Sequence, residues 1–376
     1  MKTIAIIGAS YLQRPLVEKA REMGLRTICF SWEDGAVCKD ICDRFYPISI
    51  TEKEQILAVC RREQISGVCT IASDVAAPTV AYVAEQMGLN GNSYKAAVCA
   101  NNKYRMREIF IRNDVPCPQY LVVSPEFQVG AGTIRENMSL PLIVKPTDRS
   151  GSLGVRKVED WNQLQAALDR ALQVSFRGEA IVEEFIEGRE ISVEFISYKG
   201  VHYPLQITDK VTTEAPHFVE LAHHQPSSLS PDMYNEIYRI TTHALNALDL
   251  RNGASHSEYK ITPNGRIAVM EIGGRMGGDF IGSDLVRLST GYDFLRGVIE
   301  VALGDFRPPV LTEPHCAGVY FLSADTERVK YYIDHADEFP EIVAAEQTDT
   351  ELRHVQYSAQ RSGYLIYQSD RRFEIK

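Results

Sequence analysis

The segment from His256 to Asp279 constrains this chain most. Ser257-Glu258-Tyr259-Lys260-Ile261, then Pro263-Asn264-Gly265-Arg266, then Ile267-Ala268-Val269-Met270-Glu271-Ile272 is strand, turn and strand, with Asn-Gly as the turn dipeptide. Such a hairpin sets Glu258 beside Glu271, with Gly273-Gly274-Arg275-Met276-Gly277-Gly278-Asp279 directly behind. Mg²⁺ takes one or two protein carboxylates and leaves the rest of its shell to phosphate and water, so these glutamates suit a magnesium–phosphate site. A planar guanidinium at Arg275 matches phosphate oxygens better than an ammonium does. Taken alone, the pair also reads as the solvated face of a plain hairpin, and the assignment depends on its company.

Leu142-Ile143-Val144-Lys145-Pro146 is a short apolar strand that ends on a lysine. A buried strand has little reason to hold an ammonium unless an anion neutralises it. Thr147-Asp148-Arg149-Ser150-Gly151-Ser152-Leu153-Gly154-Val155 follows, with small residues whose N–H groups can fold over phosphate oxygens. It is no Walker loop, because Gly-Lys-Ser/Thr is missing, and by itself it reads equally as a hairpin turn. Next, Ala180-Ile181-Val182-Glu183-Glu184-Phe185-Ile186-Glu187-Gly188-Arg189-Glu190 passes from an apolar strand through a hinge and a glycine turn into a strand of period two. Such a hinge can meet an adenine edge with backbone groups, with apolar side chains on the ring and Glu190 near ribose hydroxyls; a plain hairpin with exposed acids is the other reading.

Taken in order, Asn101-Asn102-Lys103-Tyr104-Arg105, Lys145, the glycine-rich loop, the hinge, the glutamate pair and Arg275 resemble the ATP-grasp superfamily. More narrowly, Ile6-Ile7-Gly8-Ala9-Ser10 and Glu271 to Asp279 resemble its carbamoyl-phosphate-synthase-large-chain-like and carboxylate–amine ligase branch. The resemblance implies a mixed α/β and α+β fold. A Rossmann-like lobe would span 1–100, the ATP-grasp lobe pair 101–310, and a small β-containing closing domain 311–376. It also implies roles for particular residues. Lys103 and Lys145 would hold the α- and β-phosphates of ATP, and Ser150, Gly151, Ser152 and Gly154 would close over the triphosphate. Glu183, Glu184, Phe185 and Ile186 would form the adenine hinge, and Glu190 would bind ribose. Glu258 and Glu271 would hold one or two Mg²⁺, or Mn²⁺ in its place. Arg275, with Lys145, would steady the transferred phosphoryl group. The chain departs from the family at Gly273, where many relatives carry a metal-binding asparagine, and at Asn102, where they commonly carry aspartate.

Pro216 to Pro226 is similar to the substrate-side loop of amino-acid ligases, with Glu220 positioned for an amino group and His223 for a proton; solvent-facing histidines are the other reading. Arg287 is a candidate carboxylate clamp or a surface ion pair. The expected activity is ADP-forming ligation of a small carboxylate to an amine. The alternatives are a bicarbonate-activating enzyme of the carbamoyl-phosphate type and a regulatory subunit that binds ATP without turnover.

Other classes fit poorly. A net charge of −10 lacks the basic clustering of a nucleic-acid surface. No run approaches the length of an apolar membrane span, and Met1 to Gly8 reads as a first strand rather than a signal peptide. Thr3 to Gly8, Arg26 to Phe30 and Gly67 to Ala72 read as parallel strands alternating with helices near Pro15 to Met23, Glu52 to Glu63 and Ala76 to Met87. Gly-x-Gly-x-x-Gly is absent, which argues against a nicotinamide cofactor. The eight cysteines show no metal spacing, and a reducing cytoplasm is the expectation. Relatives of this branch are often dimers, and the sequence leaves a homodimer and a monomer both open.

Overall fold

Three sheets carry the chain in the computed structural model, which describes residues 1–127, 129–149, 151, 153–213, 217–312 and 314–376. The first is parallel: β1 (Thr3–Ile7), β2 (Arg26–Phe30), β3 (Arg44–Tyr46) and β4 (Gly67–Cys69), in the order β3-β2-β1-β4. The three strands β1, β2 and β4 are largely apolar and buried because both faces are covered. Helices Lys53–Arg62 and Ala77–Met87 pack on one side, and Arg14–Glu22 on the other. The short β3 escapes sequence reading, since Arg-Phe-Tyr carries no period.

The second sheet comprises β5 (Tyr120–Val123), β6 (Leu142–Pro146), β7 (Arg156–Val158) and β8 (Ala180–Glu184), in the order β5-β8-β6-β7 with antiparallel pairing. Helices Ala131–Asn137 and Leu164–Val174 bury their apolar residues on one face of it, through Ile134, Leu164, Leu168 and Ala171.

The third sheet has eight strands: β9 (Arg189–Tyr198), β10 (Val201–Thr212), β11 (Glu220–Gln225), β12 (Gly253–Ile261), β13 (Ile267–Gly273), β14 (Cys316–Leu322), β15 (Ile342–Gln347) and β16 (Gly363–Ser369). Their order is β13-β12-β9-β10-β11-β14-β16-β15. The β-rich C-terminal part therefore continues the central sheet, because β11 pairs with β14 from Ala222↔Tyr320 to Gln225↔Ala317. Helices Lys103–Arg112 and Pro231–Ala247 share one apolar core with β9, β12 and β13, while Phe294–Leu303 packs between this sheet and the first lobe. A cleft opens between the second and third sheets, and the first lobe closes one end of it.

Candidate active site

The hairpin forms as its sequence requires. Glu258 on β12 lies directly opposite Glu271 on β13, beside a bulge between Glu258 and Tyr259. Glu271 accepts a hydrogen bond from Lys103 Nζ at 3.0 Å, and Glu258 from Lys210 Nζ at 2.9 Å. The Lys210 charge, against the opposing effect of burial and with help from His256, holds the Glu258 carboxyl well below its ordinary range. Both carboxylates line one cavity of about 230 Å³. Among the described residues no group of three or more His, Cys, Asp or Glu side chains converges on a metal position. Two carboxylates facing one cavity nonetheless match what phosphate-bound Mg²⁺ asks of a protein.

The cations of the cavity come from separate elements. Asn102 caps the helix Lys103–Arg112 by accepting from the Arg105 N–H at 3.0 Å, which accounts for an asparagine there; Lys103 Nζ also donates to the Arg149 carbonyl at 2.8 Å. Lys145, at the end of β6, lies 2.6 Å from Glu183 on the neighbouring strand. Glu183 in turn accepts from Arg107 Nε at 2.8 Å, and Arg107 Nη2 donates to the Met270 carbonyl at 2.6 Å. Glu183 and Arg107 are fully buried. Glu183 is thus placed under the cavity floor as the anion for two cations, and not at the adenine edge expected of it. Burial pulls the Lys145 pKa below that of an ordinary lysine, an effect Glu183 partly offsets.

Glu184, Phe185, Ile186 and Glu190 do line the cavity, together with Phe218, whose ring centroid lies 6.5 Å from that of Phe185. The N–H groups of Glu184 and Phe185 bond inward, to the Gln119 and Pro141 carbonyls. Glu190 is tied to Lys210 at 2.7 Å and Lys260 at 2.9 Å. In the glycine-rich loop, Gly151 lines the cavity and Gly154 takes φ +80, where a Cβ would lie 2.5 Å from Val174 Cγ2; Ser150 and Ser152 lie outside the described residues.

Lys210 is the residue that sequence reading passes over. It sits buried near the end of β10, with its ammonium 2.7 Å from Glu190, 2.9 Å from Glu258 and 3.6 Å from Glu220. Burial opposes its charge, and three carboxylates more than restore it, so its pKa stands well above that of an ordinary lysine. The clue was available: Leu205-Gln206-Ile207-Thr208-Asp209-Lys210 is another strand that runs into a lysine, like the one ending on Lys145. His256 is a second omission. Its Nδ1 bonds to the buried Glu194, whose other oxygen accepts the Gly277 N–H at 3.0 Å and so fixes the turn behind Arg275. Burial lowers the His256 pKa, but Glu194 and Glu258 raise it to about 9.

A second cavity, of about 260 Å³, adjoins the first and shares Lys210, Glu258 and Arg275 with it. Glu220 stands at its wall and accepts from Ser358 Oγ at 3.3 Å. Asp279 forms a two-pronged pair with Arg361, at 2.9 and 2.8 Å, which brings the 356–358 segment to the cavity mouth. The expected loop from Pro216 to Pro226 is mostly the strand β11, and Pro216 lies outside the described residues. Strand alternation separates the histidines: His223 faces the cavity, while His224 bonds to the Tyr367 hydroxyl at 2.9 Å. His223 Nδ1 has no hydrogen-bond partner among the described residues, and burial pushes its pKa down to about 3. In this fold it is a neutral hydrogen-bonding group and a weak base, contrary to the near-neutral proton acceptor expected. Arg287 lines neither cavity and lies exposed on the helix Val286–Thr290, away from the position a carboxylate clamp would need.

Comparison with other proteins bears on this geometry. Residues 138–284 match the model of the ATP-grasp domain. The chain is 28% identical over 247 residues to alanine–anticapsin ligase of Bacillus subtilis, covering 60% of this chain and 51% of that protein. It is 26% identical over 362 residues to carnosine synthase 1 of Gallus gallus, covering 87% of this chain and 38% of that one. The chain thus spans about half of the length of the first of these relatives and less of the second. Its fold is similar to the L-amino acid ligase of Bacillus licheniformis, with a TM-score of 0.80 and 23% identity over 99% of this chain and 94% of that one. The ADP complex of the N5-carboxyaminoimidazole ribonucleotide synthetase purK superposes with a TM-score of 0.79 at 15% identity, over 98% and 93% of the two chains.

Proposed function

We propose that this chain, whose residues 138–284 match the model of the ATP-grasp domain, is an ATP-dependent, ADP-forming carboxylate–amine ligase working through an acyl phosphate. The carboxylate is an amino acid or a similar small acid. One observation carries the proposal: a cavity that holds both lysines and carboxylates beside an apolar hinge opens into a second, polar cavity, and Lys210, Glu258 and Arg275 stand on the wall common to both. A phosphoryl donor and its acceptor bound in the two would meet there.

Phosphoryl transfer asks mainly for positioning and charge stabilisation. Lys103 and Lys145 reach the phosphate end of the nucleotide cavity, while Phe185, Ile186 and Phe218 supply apolar surface for the base. Glu258 and Glu271 would hold Mg²⁺, which supplies charge neutralisation between phosphates when bound. Lys210 and Arg275 flank the point where the carboxylate would receive the phosphoryl group. Glu220 and Asp279 offer anions to an ammonium or amine, and neutral His223 offers a hydrogen-bonding nitrogen. The relatives named as alanine–anticapsin ligase and L-amino acid ligase support an amino-acid substrate. Bicarbonate is the weaker reading, since the acceptor cavity of about 260 Å³ exceeds its needs in a measure where one water takes roughly 10–15 Å³. All eight cysteines are free, which fits a reducing, cytoplasmic setting.

The test is ADP release with Mg·ATP against amino acids supplied singly and in pairs, with product mass spectrometry and a separate arm of bicarbonate plus ammonia. Release that needs two amino acids and yields their coupled product supports the ligase. Release driven by bicarbonate overturns it in favour of the carboxylating reading.

A further inference from the structure

Strand β13 ends on Gly273, a glycine chosen for space and not for backbone freedom. It is absent from the glycines with positive φ, yet a Cβ built on it would lie 2.6 Å from Asp74 Oδ1 and 3.3 Å from Arg275 Nε. Asp74 arrives from the first lobe, in the turn between β4 and the helix Ala77–Met87. Its carboxylate takes two parallel bonds from Arg275, Nε to Oδ1 at 2.7 Å and Nη2 to Oδ2 at 2.6 Å. Both side chains are largely buried, at 12% and 15% exposure. The side-on edge of the guanidinium is therefore fully engaged. What remains is the Nη1 end, whose one hydrogen bond among the described residues is a long one to the Met276 carbonyl at 3.3 Å. Asp74 and Arg275 together line the nucleotide cavity, the acceptor cavity and a smaller inter-lobe cavity of about 60 Å³, so the pair stands where all three meet.

We propose that Asp74 is a positioning residue for phosphoryl transfer: by occupying the Nε/Nη2 edge of Arg275 it aims the remaining guanidinium N–H groups at the anion formed between the two cavities. Gly273 is the counterpart of this arrangement, because the Asp74 carboxylate occupies the space a side chain at 273 would need. A guanidinium can serve two anions on two edges, and fixing one edge in advance removes the rotational freedom that would blunt its action on the other. The first lobe thereby contributes to the chemistry as well as to the wall of the cleft. The identity of the anion rests on the ligase reading; the competition for space between Asp74 and residue 273 does not.

The experiment compares the full-length wild type with Asp74→Asn, Asp74→Ala, Gly273→Asn and the double variant Asp74→Ala/Gly273→Asn. Thermal unfolding and Mg·ADP titration need no knowledge of the substrate. Gly273→Asn should unfold more readily than wild type, and the double variant should recover part of that loss because the new side chain enters the vacated space. Losses that simply add overturn the spatial claim. In steady-state turnover, Asp74→Ala should lower kcat by about tenfold to a hundredfold, the range commanded by a charge-assisted hydrogen bond. Asp74→Asn, which keeps one acceptor, should fall between Asp74→Ala and wild type. The KM for ATP and the Mg·ADP affinity should hold within about twofold in both, since the uniform-binding contacts are untouched. An unchanged kcat, or nucleotide affinity falling in parallel with it, overturns the positioning role. If the wild type releases no ADP with any substrate pair, the ligase reading fails by itself, and the unfolding cycle still decides whether Asp74 and residue 273 exclude each other.

Discussion

Replacing Glu183 with glutamine tests the charge arrangement beneath the nucleotide cavity. Glu183 lies 2.8 Å from Arg107 Nε and 2.6 Å from Lys145 Nζ, with the carboxylate and the guanidinium fully buried. Glutamine keeps the shape but leaves two cations facing each other without an anion. Removing one partner from a buried pair costs roughly 3–5 kcal/mol. At about 2 °C per kcal/mol for a chain of this size, the thermal midpoint should fall by about 6–10 °C. Arg107 retains its bond to the Met270 carbonyl, which keeps the helix Lys103–Arg112 against β13 and favours destabilisation over collapse. A second consequence concerns Lys145. Burial already lowers its pKa, and Glu183 is the group that offsets this. Without Glu183 the ammonium loses its proton at a lower pH, so Mg·ADP affinity should decline more steeply in the variant than in wild type as pH rises from about 6.5 to about 9. Thermal unfolding and calorimetric titration across that range measure both effects. A midpoint within about 2 °C of wild type, together with an unchanged pH profile of affinity, would refute the reasoning.

Lys210→Met removes the ammonium shared by Glu190, Glu258 and Glu220; ADP formation should drop by at least about a hundredfold, and the acid limb of its pH profile should move upward because Lys210 is the main group holding Glu258 ionised. Arg287→Ala should leave ADP formation within about twofold of wild type, because that side chain is exposed and outside both cavities. His224 is held neutral by burial, its pKa pushed down to about 4, below an unfolded value of about 6.5. The unfolded chain therefore takes up the proton first: the contribution is complete above pH ~6.5 and is lost as pH falls toward 4, by up to about 3 kcal/mol. Urea unfolding at pH ~7 and ~4.5 should show this loss, with a shallower one in His224→Gln, where His223 still acts in the same direction.

What the sequence made legible was local. The Glu258–Glu271 pairing follows from an Asn-Gly turn and two short strands, and Lys145 announces itself as a charge at the end of an apolar run. What it hid depends on contacts between distant segments. Asp74 meets Arg275 across 201 positions, and Arg361 meets Asp279 across 82, without a local pattern in either case. The direction of Glu183 was misread for a related reason: alternation gives its face of the strand, but Arg107 on a helix 76 positions away decides that this face is buried. Glu220 to Gln225 looked like a loop because it is polar between prolines. It forms a strand because one face lines a polar cavity while His224 and Gln225 find buried partners in Tyr367, Thr208 and Ser289.

The central claim is that a carboxylate is activated as an acyl phosphate before an amine arrives. The most direct measurement follows the oxygen: the donor acid is supplied with heavy oxygen in its carboxylate, and the released phosphate is analysed by mass spectrometry. An acyl phosphate requires one labelled oxygen to leave in each phosphate as the amine displaces it, and that is the predicted result. Phosphate released with ADP but free of label would mean that the γ-phosphoryl group went to water or another acceptor, and would contradict the account.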